Sequence, residues 1–487
     1  MTQLGPGEMS MSRRITELAA AHPERIAIRD HEGTITFGEL DRRTNRLARA
    51  YADLGVGQDD FVTIALPNGI AFYEAAIATL KLGATVQPVS HRLPFVERDA
   101  IVQLAEPALV VGVEPGTHGD RPTVPIGFAA DAALADGELP DRVARCWKAP
   151  TSGGSTGRPK IIASGQASVV RLGPSPVRMT EGGTQLVPGP LYHNAPFIYS
   201  MDGLMRGKEL VVMERFDAAR CLELLERHRV DWVLMVPTMM NRIWKLPEDE
   251  RLGRDLSALR TLLHLAAPCP PWLKDAFIEW LGADVVCELY AGTEGQAATW
   301  LTGSEWQQHR GSVGRALFGE FTILDDAGRP VPPGEIGEVW MRTTPGSPST
   351  YRYIGAEAKA RDDGWESLGD LGSMDADGFV YLADRRTDMI LTGGANVYPA
   401  EIEAALDEHP QIRSSAVIGL PDDDMGQRLH AIVQADGPLD ERDVLAHLAA
   451  RLVTYKLPRS FEQTTEPLRD DAGKVRRSAL RAERIPT

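Results

Sequence analysis

A chain of 487 residues exceeds one ordinary core and implies two or three domains. Its apolar fraction of 43% is that of a globular protein, and no apolar run is long enough to span a bilayer. A net charge of −16 argues against broad nucleic-acid binding, while leaving open a phosphate site built from local donors. The four cysteines, Cys146, Cys221, Cys269 and Cys287, show no metal or redox spacing and read as reduced and mostly buried. The N-terminal residues lack a charged-then-apolar leader pattern, so a cytoplasmic, soluble protein is expected.

Along the chain, apolar strand-like runs such as 61–66 and 230–236 alternate with helical stretches near 71–80 and 218–228, the latter capped by Asp217. This alternation implies α/β layers with much parallel sheet. The stretch Thr151-Ser-Gly-Gly-Ser-Thr-Gly-Arg-Pro-Lys160 concentrates glycines, hydroxyls and a lysine. Glycines admit close approach of backbone N–H groups to phosphate oxygens. Pro159 stands where a Walker A loop needs its second glycine, so a hairpin-like grip of another kind is expected; a flexible linker is the alternative.

From about residue 311 the pattern turns to short strands and tight turns, a β-rich subdomain spanning about 311–384. Asp375-Ala-Asp-Gly378 has part of a calcium-loop pattern without its terminal Glu, and reads as a turn. The polar run Arg385-Arg-Thr-Asp388 separates two apolar strands and marks a boundary between residues 1–384 and a small α+β domain at 385–487. In that domain Pro399 opens a helix containing Ile402 and Leu406.

Five more segments place polar groups where packing does not require them: 191–197 with His193, 288–295 with Tyr290 and Glu294, 364–372 with Asp370, 384–390 leading to Gly393-Gly394, and 471–477 with Lys474. Singly, His193 reads as a core histidine, Glu294 as a helix-start carboxylate, Asp370 as a turn residue and Lys474 as a solvated lysine. Their order behind a phosphate loop resembles the adenylate-forming (ANL) superfamily of acyl-CoA synthetases, peptide-synthetase adenylation domains and luciferases. Thr36-Phe-Gly-Glu-Leu40, Lys81-Leu-Gly-Ala84, Ala266-Ala-Pro268, Gly334-Glu-Ile-Gly-Glu338 and Tyr398-Pro-Ala-Glu-Ile-Glu403 extend the likeness over nearly the whole chain. His264-Leu-Ala-Ala-Pro and His309-Arg-Gly-Ser-Val-Gly314 resemble bacterial ligases of the bile-acid-CoA-ligase type and terpenoid-acid-activating actinobacterial enzymes of natural-product pathways.

The resemblance implies an acid–CoA ligase (AMP-forming) that uses ATP, Mg²⁺ and CoA. A large N-terminal domain of αβ-layered sheets would carry a small mobile C-terminal lid. By this likeness Ser152, Gly153, Gly154, Ser155, Thr156, Gly157 and Lys160 hold the β- and γ-phosphates. Thr293 contacts the α-phosphate and Glu294 holds Mg²⁺. Ala266, Ala267, Pro268 and the segment Glu288, Leu289, Tyr290, Ala291, Gly292 enclose adenine, with Tyr290 stacking. Asp370 takes the ribose hydroxyls with help from Arg385, and Lys474 bridges the reacting carboxylate and the α-phosphate. His193, Asn194, Phe197, Leu265, Ala291 and Gly292 belong to the acyl pocket, which His193 gates; Gly393 and Gly394 line the CoA tunnel, and Arg386 and Thr387 form the hinge.

The sequence departs from the family at Gly153, where a second hydroxyl is common, at Ala291, where Gly is frequent, and at Thr387, where Asp or Lys is common. His193 and Asn194 are formally neutral where amino-acid-activating domains carry an Asp, which predicts an acid without an α-amino group; the bile-acid-ligase likeness implies a bulky one, fatty, aryl, sterol or terpenoid. Transfer to an acyl carrier protein, or a silent ATP-binding regulator, are the alternatives to CoA transfer, and a homodimer is a further expectation.

Overall fold

The structure, a computed structural model, describes residues 7–153, 159–392, 395–422, 425–470 and 473–485. A 14-stranded sheet dominates it. On one side of this sheet the strands Ile26–Arg29, Glu209–Val212, Thr184–Val187, Trp232–Met235, Thr261–His264 and Val286–Ala291 run parallel. Their residues are nearly all buried, as parallel strands covered on both faces require. Helices return the chain between them. The helix Ala218–Arg227 starts where Asp217 accepts a hydrogen bond from the Arg220 N–H, as its cap position predicts. The helices Phe37–Asp53 and Ile70–Lys81 pack with a separate parallel sheet of Thr85–Pro88, Phe61–Ile64, Leu109–Val111 and Thr123–Val124 into the largest apolar core.

The expected β-rich segment is present but is not a separate body. After Val286–Ala291 the strand Ala298–Thr302 turns antiparallel. Ser312–Phe318 follows it, and Val380–Arg385, Glu366–Met374, Gly337–Arg342 and Glu320–Leu324 continue the same sheet outward. Once the chain abandons crossover helices, short turns suffice to pair neighbours. The Asp375–Gly378 stretch is such a turn: Asp375 Oδ1 accepts from the N–H groups of Asp377 and Phe379.

Beyond Arg385 the chain builds a smaller unit. The sheet Ser414–Asp422, Gly426–Gln434 and Ser460–Thr464 is covered by the helices Pro399–Asp407 and Glu441–Ala449 around Ile402, Leu406, Val417, Leu429 and Leu448. Pro399 occupies the first turn of its helix, as expected. Asp384 Oδ2 caps that helix by accepting from the Ala400 N–H at 3.0 Å, so the helix is anchored to the last strand of the large unit. The small unit also docks elsewhere: Lys245 donates to the Ile412 carbonyl, and a Cβ on Gly473 would lie 2.7 Å from Thr238 Oγ1. No helix among the described residues is long and apolar enough to cross a membrane. All four cysteines are free thiols.

Gly314 marks where the antiparallel half joins. Its φ of +102° suits glycine, and a Cβ there would meet the Trp300 carbonyl oxygen at 2.2 Å. Gly314→Ala is expected to destabilise the fold by about 3 kcal/mol, from backbone strain plus displacement of the Trp300 carbonyl. A urea midpoint equal to wild type would show that the junction yields at no cost.

Candidate active site

The glycine-rich segment is flanked as a hairpin. Thr151–Gly153 pairs antiparallel with Pro159–Ser164, and Tyr351–Ile354 adds a third strand. Gly154, Ser155, Thr156 and Gly157 lie outside the described residues, as do the side chains of Ser152 and Gly153. Lys160 follows the turn, and its ammonium donates to the Tyr353 hydroxyl at 3.0 Å and to Glu294 Oε1 at 3.5 Å. Tyr353 in turn donates to the same carboxylate oxygen at 2.5 Å. Burial and the Glu294 charge push the Tyr353 phenol up from its ordinary pKa.

Glu294 arrives on a tight turn at the carboxyl end of the Val286–Ala291 strand. Gly295, with φ +69°, donates back to the Gly292 carbonyl at 3.2 Å. A Cβ on Gly292 would meet Leu368 Cδ1 at 2.4 Å and Glu294 Oε2 at 2.8 Å, so a larger residue there would displace the Leu368 and Glu294 side chains. Thr293, half-buried between them, shares this turn. Among the described residues no cluster of three or more metal-ligating side chains occurs. One carboxylate beside a phosphate loop fits an ion that arrives already bound to nucleotide phosphates, the usual manner of Mg²⁺.

The same strand end carries Tyr290, whose hydroxyl donates to Asp370 Oδ2 at 2.6 Å. Asp370 projects from an irregularity in the Glu366–Met374 strand, where Gly369 has φ +84° and the register slips at the next residues. Its backbone pairs with that of Arg385, whose side chain is not described. Beside Tyr290, the loop Ala266–Pro268 leaves the neighbouring Thr261–His264 strand. Ala266 has φ +76°, a left-handed conformation that a side chain rarely adopts, and Ala266 and Pro268 are exposed. This loop and the Tyr290–Asp370 pair stand at the ends of adjoining strands, the usual ligand position in such sheets.

His193 precedes the helix Asn194–Met205 at its N-cap. Asn68 fixes the approach to it, accepting from the Leu191 N–H at 2.8 Å and donating to the Gly189 carbonyl at 2.9 Å. One face of that helix, Ala195 and Tyr199, packs with Leu265, Leu263, Leu289, Trp232 and Met179 as an apolar cluster. Ala291 is exposed at the rim of this region.

Two sequence expectations are corrected. Phe197 does not face the chamber: it lies on the opposite face of its helix, fully buried, with Trp147 stacked on it at 5.5 Å. Glu288 does not serve the nucleotide region either: it lies two residues before Tyr290 on the same face of the strand, but is buried and taken up in an ion pair with Lys274. Its neighbour Leu289 belongs to the apolar cluster.

Lys474 sits beside Gly473, which touches Thr238 at the carboxyl end of the Trp232–Met235 strand. The small unit therefore delivers the Lys474 loop to the edge of the sheet that carries Glu294 and Tyr290. Arg386 is tied by its N–H to the Gly369 carbonyl and by its guanidinium to Asp326, while Thr387 is exposed. Gly393 and Gly394 lie outside the described residues, between the paired strands Ile390–Thr392 and Ala395–Val397.

Sequence reasoning passed over Tyr353 and Lys148. Tyr351 and Tyr353 alternate onto one face of a strand, a weak signal without a motif. Lys148 interrupts the apolar segment Cys146-Trp-Lys-Ala149, which was legible as a charge where burial is expected.

The AMP-binding enzyme family model matches residues 15–351, and the AMP-binding enzyme C-terminal domain model matches residues 401–474. A feruloyl-CoA synthase from Amycolatopsis sp is 33% identical over 485 residues, covering 95% of this chain and 96% of that protein. The long-chain-fatty-acid–CoA ligase FadD13 of Mycobacterium tuberculosis is 30% identical over 474 residues, covering 92% and 93%. The o-succinylbenzoate CoA synthetase of Bacillus subtilis, solved with its acyl-adenylate, superposes with a TM-score of 0.82 at 25% identity over 99% of each chain. The same enzyme with ATP and magnesium ion gives 0.80 at 26% identity, covering 97% and 99%.

Beneath the Ala266 loop, His264 is fully buried, and neither ring nitrogen has a hydrogen-bond partner among the described residues. Burial lowers its pKa from 6.5 to about 4, against the opposing pull of Glu288. Because the folded value lies below the unfolded one, the neutral ring contributes stability above pH 6.5 that is lost as pH falls toward 4. Relative to His264→Leu, wild type is expected to lose roughly 3 kcal/mol between pH 7 and pH 4. Parallel stability–pH curves for the two proteins would contradict this.

Proposed function

This chain belongs to the AMP-binding enzymes of the adenylate-forming superfamily and is an AMP-forming acid–CoA ligase, and from that premise we propose how its residues carry out the reaction. The meeting of Lys160, Glu294 and Tyr353 at one point, with Tyr290 and Asp370 on the adjoining strand, is the observation that carries the assignment. ATP lies along the carboxyl ends of the strands. Its adenine rests between Tyr290 and Ala266–Pro268, its ribose on Asp370, and its outer phosphates on the glycine turn and Lys160. Arg385 adds to the ribose contact. Glu294 holds the Mg²⁺ that accompanies the nucleotide, an ion that spreads the charge on the phosphates.

The acid's carboxylate oxygen attacks the α-phosphorus, the bond to the bridging oxygen breaks, and pyrophosphate leaves. Two anions must approach each other, so preorganised cations and N–H donors are the chief requirement. Lys474 supplies the positive charge between carboxylate and α-phosphate, and Thr293 contacts the same phosphate. Rotation about Arg386–Thr387 then withdraws Lys474 and brings the Gly393–Gly394 segment to the site. The CoA thiol attacks the acyl carbonyl carbon, AMP departs with the electron pair of the broken C–O bond, and the thioester forms.

The acyl group occupies the apolar region beside the helix Asn194–Met205, with His193 at its entrance and Leu265, Ala291 and Gly292 along its wall. The single carboxylate on that helix, Asp202, is held by Arg206 at 3.0 Å, so nothing there awaits an ammonium. This supports an organic acid without an α-amino group, and the apolar cluster around Tyr199 supports an apolar acyl group. CoA is the acceptor; a carrier-protein thiol is its rival and is compared in the same assay. The need for ATP and CoA supports a cytoplasmic location for the reaction. Homodimerisation is open to a mass measurement in solution.

Lys474→Ala is expected to lower acyl-AMP formation by ~10²–10³-fold. MgATP binding should stay within about threefold of wild type, because Lys474 acts on charge that develops during transfer. Near-normal adenylation in this variant would remove Lys474 from the mechanism. A pyrophosphate-release screen over ferulate, benzoate, fatty, sterol and terpenoid acids identifies the substrate; amino acids as the sole active class would overturn the acid assignment.

A further inference from the structure

Lys148 is 7% exposed and precedes the phosphate hairpin by three residues. Backbone bonds fix it on both sides: the Ala149 N–H donates to the Val86 carbonyl at 2.9 Å, and the Lys148 carbonyl accepts from the Ser164 N–H at 2.9 Å. Its ammonium donates to Asn194 Oδ1 at 2.7 Å. Among the described residues this neutral amide is its hydrogen-bonding partner, and no carboxylate lies within ion-pair distance. The Trp147 ring lies 5.6 Å away, and Glu294, already engaged by Lys160, acts on it only through its longer-range field.

This is an unusual arrangement. The other buried lysines of the large unit each have a carboxylate: Lys81 has Asp41, Lys208 has Asp231 and Lys274 has Glu288. An ammonium taken out of water without a counter-ion is costly. Its position adds to the cost. Asn194 opens the helix Asn194–Met205, and the N-cap His193 makes no side-chain cap bond, so Lys148 faces the positive end of a helix dipole. Burial lowers its pKa from 10.5 to about 8, which leaves it charged at neutral pH. Both the cation and the helix end are satisfied by one event, the arrival of an anion.

We propose that the Lys148 ammonium, held by Asn194 where the acyl chamber meets the phosphate hairpin, binds an anionic oxygen of the reacting pair. That oxygen belongs to the acid's carboxylate or to a phosphate of the nucleotide. Lys148 is then a substrate-binding cation supplied by the large unit itself, in place before Lys474 is delivered by the small one. The inference rests on the acid-activation reading.

Lys148→Met removes the charge and nearly keeps the volume, Lys148→Gln keeps a polar end, and Lys148→Arg keeps the charge. Each full-length variant is measured in two arms: equilibrium binding of MgATP, and KM and kcat for the acid that the pyrophosphate screen identifies. The expected result is a loss of ~10-fold or more in one arm for Met and Gln, partial recovery in Arg, and a Tm for Met no lower than wild type. An acid-arm loss assigns the carboxylate; a MgATP-arm loss assigns a phosphate. Both affinities within twofold of wild type, or a Met variant that loses Tm while keeping both, would assign Lys148 to the fold and overturn the proposal. A wild type silent toward every acid would remove the underlying reading, and this inference with it.

Discussion

Lys160, Glu294 and Tyr353 come from three distant parts of the chain and meet within 3.5 Å of one another. Their contact fixes the geometry of everything around it. It clamps the three-stranded sheet that carries the phosphate hairpin onto the end of the large sheet. A hydroxyl, a carboxylate and an ammonium satisfy one another there, so the buried Glu294 charge is paired. On the proposed reading, bound polyphosphate would give Lys160 a second anionic partner at little cost in reorganisation.

The location follows from sheet architecture. Parallel strands end together, and the loops after His264 and Ala291 emerge side by side because those strands are neighbours in register. The switch to antiparallel pairing at Ala298–Thr302 leads the chain outward and then back through Glu366–Met374, which brings Asp370 to Tyr290. Around this region stand Gly292, packed closely against Leu368 and Glu294, Gly473 with φ +76° against Thr238, and Ala266 in a left-handed conformation. The small unit meets the large one around Gly473 and Lys245.

Much of this was legible in the sequence because particular residues do work that packing does not demand. The helix at Ala218–Arg227 followed from Asp217 and its leucines; the phosphate hairpin followed from glycines, hydroxyls and Pro159. Other features depend on which face of an element a residue takes and on what it meets there. Glu288 belongs to a motif segment and shares a strand face with Tyr290, yet it is buried and its carboxylate is taken up by Lys274. Phe197 lies three residues beyond the first helical residue of its segment, and that rotation turns it into the core. Tyr353 and Lys148 carry no motif, and their roles arise only from contacts across more than forty residues of chain. The β-rich segment was recognised by composition, but its continuity with the parallel sheet depends on Ser312–Phe318 pairing on both edges.

The central claim is that the acid's own oxygen attacks the α-phosphorus of ATP. Labelling the carboxylate with ¹⁸O and analysing the products of one turnover by mass spectrometry tests it directly. One labelled oxygen in AMP and none in pyrophosphate is the expected outcome, because the C–O bond to the nucleotide breaks when the thiol attacks. Unlabelled AMP, or label in inorganic phosphate, would mean that the acid is activated by another route and that these residues serve a different reaction.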